Sequence, residues 1–338
     1  MIRSALKRVV CFVIVGVCSL PASSQAPVPS NEFTSEAEIA SRIVVDLDIV
    51  NVYFNVRQNG KLISGLPKEE FTLLEDRHRQ EIRYFYSESH APLSLALMID
   101  SSASQRRVLE LEQEVGRRFL SQVLTPGDEA MVVGFDYYVQ LRQDFTASID
   151  DLLDALKNSA AGSSVRTFEF DPGPQPIQRS TALYDAVVGT TRARMAKRVG
   201  RKVLIILTDG QDKGSRNKAA AAIESAVKSN TICYVFLIGD KHYTAATDYT
   251  GSSRMQELVK ETGGRIFKID PKMEKLGDAF DEIALDLRHH YSIGYQSNDR
   301  RHDGRYRTIV LQSKHKFRIQ ARQGYYAPLP HKRERHEP

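Results

Sequence analysis

Side chains that carry oxygen ligands stand at the ends of two apolar runs in this sequence. The run "LSLALMI" leads into Asp100, and Ser102 and Ser104 follow at alternate positions. A second run, "VLIILT", leads into Asp209, while Thr181 precedes the helix-like segment "ALYDAVV". Two carboxylates and three hydroxyls suit a hard divalent cation such as Mg²⁺, which prefers six oxygen ligands and retains water.

The low formal charge of this ligand set has a chemical consequence. Two carboxylates leave a bound divalent ion electrophilic, and an open coordination position then favours a carboxylate from a partner. The alternative reading of the first group is a solvated loop in which Ser104 caps the next helix.

The hydropathy pattern of the chain after Pro92 predicts the strands and helices that must position these side chains. Short apolar runs alternate with amphipathic segments from there to about residue 288. Near-continuous apolar runs are typical of strands buried on both faces of a parallel sheet. The alternation predicts an α/β fold, with a doubly wound, mostly parallel sheet and helices on both faces. Ligands bind beyond the carboxyl ends of such strands, so we expect Asp100 and Asp209 to meet there.

The flanks of this region have a β-like pattern. Residues 42–90 contain "QNGK", a hairpin turn signal, and the short strand candidates "FTLLED" and "EIRYFY" separated by "RHRQ". Residues 289–327 contain three more candidates, too few to be stable alone. We expect the two flanks to form one small β-sandwich-like module, with the α/β domain of residues 91–288 inserted between them.

The two ends of the chain are predicted to lie outside these domains. "MIRSALKR" followed by "VVCFVIVGVCSLPA" has the layout of a secretory signal peptide, predicted as residues 1–24. Its apolar run is shorter than the ~20 residues of a spanning helix. Residues 25–41 are predicted to be a flexible leader, and residues 328–338 a disordered tail. The chain is therefore expected to be secreted or periplasmic with no transmembrane span once cleaved, an uncleaved anchor being the alternative.

Cysteine usage and charge narrow the function classes. Cys11 and Cys18 lie in the predicted signal peptide, so Cys233 is the one remaining thiol, expected to be buried and inert.

The net charge of +5 is segregated, with 11 Lys or Arg against 4 Asp or Glu from His289 onward. That basic segment suits either a solvated β face or an anionic partner such as a cell-surface polymer. Export and the lack of an aromatic-basic stacking motif argue against nucleic acid.

Two long loops border the predicted site. The stretch from residue 159 to residue 180 is rich in Gly, Pro and Ser and leads into Thr181. The stretch from residue 240 to residue 254 is read as a second loop. Long loops in compact domains are often functional, so both are candidates either for partner contacts or for disorder.

Three motifs in the right order give the α/β region a family resemblance. "DSSAS" fits the DxSxS signature of von Willebrand factor type A (VWFA) domains, "STALYDAV" resembles their threonine loop, and "LIILTDGQD" resembles their second aspartate strand. The resemblance implies a metal-ion-dependent adhesion site, or MIDAS. There Ser102, Ser104 and Thr181 would ligate the ion directly, and Asp100 and Asp209 would act largely through water. Ser180 stands where such domains often have glycine, which puts the openness of that loop in doubt.

The flanking segments are similar to those of an exported acidobacterial VWFA-related family, so the resemblance covers most of residues 42–327. It implies an exported, non-enzymatic adhesion or protein-binding protein. A divalent cation, Mg²⁺ or else Mn²⁺ or Ca²⁺, would capture an Asp or Glu carboxylate of a protein ligand. The alternative is a metal-assisted hydrolase, whose base would have to be Asp185 or Asp212. A cytoplasmic ATPase subunit is disfavoured because the chain has no P-loop.

Overall fold

The apolar runs after Pro92 form the parallel strands of a central sheet. The structure is a computed structural model that describes residues 49–87, 91–100, 108–157, 166–167, 181–238, 248–270 and 275–330. The described residues belong to one compact unit, Ser35–Pro338. The predicted signal peptide, the leader, Ser102, Ser104, Ser180 and most of the tail lie outside them.

The strands of the described residues are, in chain order, β1 (Ile49–Gln58), β2 (Lys61–Leu62), β3 (Phe71–Glu75), β4 (His78–Gln80), β5 (Tyr84–Ser87), β6 (Leu93–Asp100), β7 (Glu129–Phe135), β8 (Val139–Thr146), β9 (Arg166–Thr167), β10 (Arg201–Thr208), β11 (Thr231–Ile238), β12 (Ile266–Ile269), β13 (Tyr291–Gln296), β14 (Tyr306–Ser313), β15 (Arg318–Ala321) and β16 (Gly324–Tyr326). The α-helices are α1 (Val108–Val123), α2 (Ile149–Lys157), α3 (Leu183–Ala193), α4 (Ala219–Lys228), α5 (Asp248–Thr262) and α6 (Leu276–Arg288).

The central sheet has the order β12-β11-β10-β6-β7-β8-β9. Its first five strands are parallel, and β8 returns antiparallel to β7 with the short β9 on its outer edge. Strand β6 is buried along its whole length, and its successive side chains enter two different cores. One core is shared with α1, α2 and α6, and the other with α3, α4 and α5. The predicted doubly wound α/β fold is confirmed.

The flanking strands form two further sheets with the orders β15-β1-β13-β5 and β16-β14-β3-β4. Each sheet combines strands from before and after the α/β region, as in the antiparallel pair of β1 with β13. Their inner faces share one apolar core, in which the rings of Phe54 and Tyr291 stack with centroids 5.2 Å apart. The predicted β module built from both ends of the chain is therefore confirmed.

Two turns in this module illustrate what local sequence does and does not reveal. The predicted hairpin at "QNGK" joins β1 to β2, with positive φ at Asn59 and Gly60. The reading of "RHRQ" as a separator was wrong, since β4 begins inside it and pairs with β3. The turn between them has positive φ at Asp76 and Arg77, a conformation unusual for residues other than glycine.

The second long loop was also predicted wrongly, because α5 begins at Asp248 rather than near residue 253. Gly251, which lowers helix propensity, lies in the first turn of this helix. A Cβ atom there would lie 2.3 Å from the Gly210 carbonyl oxygen. Close packing therefore requires glycine at this helical position and overrides its weak propensity.

The β module is attached to the α/β region at the end of α6. The Asn55 side-chain amide on β1 donates to the carbonyl oxygens of Asp286 and His289, both at 2.8 Å. Arg57, two residues along β1, forms an ion pair with the buried Asp286 carboxylate. Within the part of the chain that the structure describes, no helix is both long and apolar enough to cross a membrane.

Candidate functional site

The ends of β6 and β10 adjoin at the carboxyl edge of the central sheet. Ile99 pairs with Leu207, so the next residues, Asp100 and Thr208, lie side by side. The Asp100 side chain belongs to a residue only 1% exposed, and its Oδ2 accepts a hydrogen bond from Thr208 Oγ1 at 3.3 Å. A buried carboxylate thus occupies the carboxyl end of a central strand, where ligands of such sheets bind.

Thr181 is held across this edge by its own backbone. Its carbonyl oxygen accepts hydrogen bonds from Lys213 and Gly214, in the loop after β10, at 3.1 and 2.9 Å. On the other side, the amide of Ala182 donates to the carbonyl oxygen of Asp136, just after β7, at 2.7 Å. Because β6 lies between β10 and β7, the Thr181 segment bridges the strand that ends at Asp100.

The loop after β10 begins with Asp209 and is shaped by short-range hydrogen bonds. Asp209 Oδ1 accepts from the amide of Gln211 at 2.9 Å, an Asx-type turn. Gly210 has a φ of +79° and donates its amide to Thr208 Oγ1 at 3.0 Å. The Thr208 hydroxyl therefore links the turn to Asp100. Thr208 was not among the predicted site residues, although a polar residue closing the apolar run "VLIILT" was a usable signal.

Asp185, in the first turn of α3, binds residues 215–217 at the end of the same loop. Its carboxylate accepts from the backbone amides of Arg216 and Asn217 at 3.0 and 2.9 Å, and from the Asn217 side chain at 2.7 Å. In return, the Asp185 amide donates to Ser215 Oγ at 3.0 Å. This reciprocal set fixes the loop after β10 against the helix that follows Thr181.

Asp212 has a related structural task. Its Oδ1 accepts from the Tyr184 amide at 3.1 Å and from Ser215 Oγ at 2.5 Å. Burial raises the pKa of the Asp212 carboxyl above its ordinary value, while these hydrogen bonds act in the opposite direction. Asp185 and Asp212 are the two candidates for the base of a hydrolase. Both carboxylates thus accept hydrogen bonds from the loop after β10 or from the start of α3.

The residues fit a hard cation by the chemistry of their donors. Asp100, Thr181 and Asp209 bring two carboxylates and one hydroxyl to the same edge of the sheet, all of them oxygen donors. Ser102 and Ser104 complete the predicted set but lie outside the described residues. Within the described ranges no cluster of three or more His, Cys, Asp or Glu side chains has metal-binding geometry. The predicted site instead combines carboxylates with hydroxyls.

Cys233 lies away from this edge, on β11. Its side chain is buried, as predicted, and burial raises the pKa of its thiol to about 12. A thiol protonated to such high pH is a poor nucleophile.

Similar structures are found among solved proteins. No family model matches the sequence, and no curated protein matches it. Among solved structures, the conserved hypothetical protein BatB from Bacteroides thetaiotaomicron is 16% identical, with a TM-score of 0.44 over 58% of this chain and 97% of its own. The vWF domain of the type V pili tip protein Mfa5 from Porphyromonas gingivalis is 14% identical, with a TM-score of 0.40 over 60% of this chain and 96% of its own.

A third similar structure is proximal thread matrix protein 1 from the mussel byssus, with a zinc-occupied MIDAS motif. It is 16% identical, with a TM-score of 0.45 over 62% of this chain and 48% of its own. At such identities a likeness concerns the fold alone. The strand order and the two helical layers of this chain are those of a doubly wound α/β fold.

Proposed function

We propose that this chain is an exported binding protein whose α/β domain captures an acidic group of a partner through a divalent cation. The cation, Mg²⁺ or else Mn²⁺ or Ca²⁺, is held by Asp100, Ser102, Ser104, Thr181 and Asp209. When bound, the ion supplies an electrophilic centre with a coordination position for a carboxylate oxygen.

The observation that carries the proposal is the bridge made by the Thr181 segment. Thr181 is hydrogen-bonded through its carbonyl oxygen to the loop after β10, and its neighbour Ala182 is bonded to the residue after β7. Asp100 ends β6, the strand that lies between β10 and β7. This arrangement supports the proposal because Asp100, Thr181 and Asp209 are far apart in sequence and all offer oxygen ligands.

The surroundings favour a binding site over a catalytic one. A metal-assisted hydrolase needs a base within reach of a metal-bound water. Asp185 and Asp212 accept hydrogen bonds from the backbone of the loop and of α3, and these bonds fix both carboxylates in structural positions. In the proposal, these two acids hold the loop that begins with Asp209 against the helix that follows Thr181.

The β module supplies a rigid mount in this proposal. Asn55 and Arg57 bind the end of α6 from β1, and truncating one partner of a buried pair such as Arg57 and Asp286 typically costs ~3–5 kcal/mol. The predicted signal peptide would deliver the protein outside the cytoplasm, and the basic segment after His289 would offer a second contact to an anionic cell-surface polymer.

The test uses immobilised protein and two matched peptide libraries, one with a central Asp or Glu and one with Asn or Gln instead. Capture is scored in Mg²⁺ and in EDTA for the wild type and for Ser102→Ala. We expect carboxylate peptides to bind in Mg²⁺ only. Losing one ligand of the ion should cost about 2–5 kcal/mol of binding, a range typical of a truncated charge-assisted contact. The stability should change by no more than about 0.5 kcal/mol.

Ser101→Ala is the matched control, since Ser101 occupies a variable position of the DxSxS pattern between Asp100 and Ser102. It should capture peptides as the wild type does. Capture that survives both EDTA and Ser102→Ala would refute a metal-dependent function, and equal capture of the Asn or Gln library would refute the carboxylate specificity.

A further inference from the structure

A cavity of about 380 Å³ lies at the opposite end of the central sheet from the candidate metal site. Its walls come from β1, the amino end of β10, the end of α4 and the segments that follow β13 and β15. Lys202, near the start of β10, lines the cavity, whereas Thr208 ends the same strand beside Asp100. At ~3.3 Å per residue these two positions are about 20 Å apart, so the cavity is a separate site.

The cavity is strongly cationic. Seven of its lining residues are Lys or Arg, and the one acidic lining residue is Asp299. Several of the cations lie opposite carboxylates: Arg198 is 3.1 Å from Glu129, and Lys228 is 2.5 Å from Glu224. Asp299 itself is bound by Arg301 at 2.7 Å. Arg307 also lies 3.5 Å from Asp299, and a smaller group of cations has no such carboxylate partner.

Lys202 and Arg322 form that group. Among the described residues, the Lys202 ammonium has neither an ion pair nor a side-chain hydrogen bond. The Arg322 guanidinium donates to two neutral acceptors, Asn230 Oδ1 at 2.8 Å and the Asn51 carbonyl oxygen at 2.6 Å. The positive charge of Arg322 has no carboxylate partner within the described part of the chain.

The charge of Arg322 also perturbs Lys202. Burial, the larger cause, and the nearby charge of Arg322 together lower the pKa of Lys202 to about 8. Burial lowers the pKa of Arg322 as well. Like charges in a partly buried space raise the free energy of the folded state unless an anion offsets them.

Arg322 is held in place by the surrounding backbone. The adjacent Gln320 side chain donates to the Gly263 carbonyl oxygen at 3.0 Å, and Gln323 donates its amide to Glu261 at 3.2 Å. Gly263 has a φ of +84°, and a Cβ atom there would lie 2.5 Å from the backbone nitrogen of Arg322. The backbone around Arg322 is thus fixed against the turn between α5 and β12, and a fixed position reduces the entropy cost of binding.

The donors that remain are suited to a group with several oxygens. The Lys202 ammonium has three N–H donors, and the Arg322 guanidinium keeps its Nε and one hydrogen on each terminal nitrogen. Arg322 Nε is buried and has no partner among the described residues. A phosphate monoester brings about −1.5 to −2 charges and three acceptor oxygens, whereas a carboxylate brings one charge and two oxygens.

We propose that this cavity binds the phosphate group of a phosphomonoester, with Lys202 and Arg322 as its two principal contacts. The volume lies within the ~300–1,000 Å³ of small-molecule sites, so the remainder of the ester has room beside Tyr53 and Tyr326 on the cavity wall. The ester is either a small phosphorylated molecule or the phosphate of a surface polymer.

The test is calorimetry on the full chain in EDTA, so that the result is independent of the metal site. The probes are inorganic phosphate, glycerol 3-phosphate and a soluble polyphosphate, each compared with chloride at equal ionic strength. We expect one phosphate or glycerol 3-phosphate per chain and at least about a tenfold rise in Kd for Lys202→Met. Lys202→Arg keeps the charge and should retain most of the affinity.

Lys197→Met is the matched control, because it removes the same charge from an exposed lysine that does not line the cavity. Its Kd should stay within about twofold of the wild type, and melting curves of all variants exclude misfolding. Tighter Lys202-dependent binding of polyphosphate than of glycerol 3-phosphate would identify a polymer as the source of the phosphate, whereas binding of polyphosphate alone would overturn the proposal, because its internal phosphates are not monoesters. The proposal is overturned if no probe binds, or if Lys197→Met and Lys202→Met weaken binding equally.

Discussion

The two ends of strand β10 present opposite chemistry on the same structural element. At the carboxyl end, Thr208 donates to the buried Asp100 carboxylate, and Asp209 follows in a tight turn. At the amino end, Lys202 faces the cavity beside Arg322. One end is therefore suited to a cation and the other to an anion.

The contrast shows how differently the two ends are assembled. The carboxyl-end residues belong to strand ends and loops that parallel topology gathers automatically at one edge. The amino-end residues come from the α/β sheet and from the β module, and they meet only because the C-terminal strands dock back on the turn between α5 and β12. A substitution at one end should therefore leave the other unaffected, and several measurements test this independence.

The largest effect is expected from removing both acids of the metal site. Asp100→Asn with Asp209→Asn keeps side-chain volume and an acceptor for the Thr208 hydroxyl, but removes the negative charge that a divalent ion requires. Titration with Mg²⁺ or Mn²⁺ should give no binding heat, whereas the wild type is expected to bind one ion. Binding of glycerol 3-phosphate should be unchanged.

The matched control is Asp278→Asn, which alters an exposed acid in the first turn of α6. It should bind the metal as the wild type does. A double variant that still binds one ion per chain would exclude Asp100 and Asp209 as ligands, and a parallel loss of phosphate binding would show that the two ends are not independent.

The next effect concerns the stability cost of the uncompensated lysine. The unfolded chain keeps the Lys202 proton up to the ordinary pKa of 10.5, whereas the folded chain releases it near 8. Between these pH values the unfolded state binds more protons, so the free energy of unfolding rises with pH. Below pH 8 the cost of the buried charge is fully present.

Lys202→Met removes this cost and should stabilise the protein by about 1–3 kcal/mol at pH 7. The difference from the wild type should shrink as pH rises from about 8 to 10.5, and phosphate should also reduce it. The charged and titratable groups on the other cavity walls, which contribute a background common to both proteins, are Tyr53, Arg198, Lys228, Asp299, Arg300, Arg301, His302, Arg307, Arg322, Tyr325 and Tyr326. Urea denaturation at several pH values measures the difference, and a constant difference would contradict the assignment.

Sequence reasoning succeeded where one local pattern had one physical cause. The run "LSLALMI" is apolar at every position except Ser94 because β6 is buried on both faces, and "QNGK" contains residues that tolerate positive φ. It failed where tertiary contacts overrode local preference. Asp76 and Arg77 adopt positive φ without a glycine, and Gly251 lies in the first turn of α5 because only a residue without a Cβ fits against Gly210.

The same division applies to the two ends of β10. The positions of Asp100, Thr181 and Asp209 at element ends were predictable because each follows or precedes a recognisable element, whereas their role as metal ligands stays a prediction. Lys202 is embedded in the apolar run "RKVLIILT", and Arg322 lies in a basic tail read as either a solvated face or a polymer contact. No spacing in the sequence relates them, since their proximity depends on how the β module docks.

A smaller effect is expected from loosening the loop after β10. Asp185→Asn keeps one carbonyl acceptor but loses the charge that strengthens the bonds from Arg216 and Asn217. The free energy of unfolding should fall by about 1–2 kcal/mol, as for hydrogen bonds to a charged group. Metal affinity should fall severalfold because the loop carries Asp209, while phosphate affinity stays constant. Unchanged stability would show that the reciprocal bonds contribute nothing net, and Asp278→Asn again serves as the control.

The smallest effect is expected on the reactivity of Cys233, which lies on β11 between the two ends of the sheet, level with Leu204 of β10. Burial raises the pKa of its thiol to about 12, so at pH 8 only about one molecule in ten thousand carries the reactive thiolate. Iodoacetamide should leave Cys233 unmodified in the folded chain and alkylate it fully in denaturant, as read by mass spectrometry of its peptide. Neither Mg²⁺ nor glycerol 3-phosphate should change the native rate, because ligands at the strand ends do not open the core between them. If either ligand alters that rate, the core between the strand ends transmits binding, and the two ends of β10 are then coupled rather than independent.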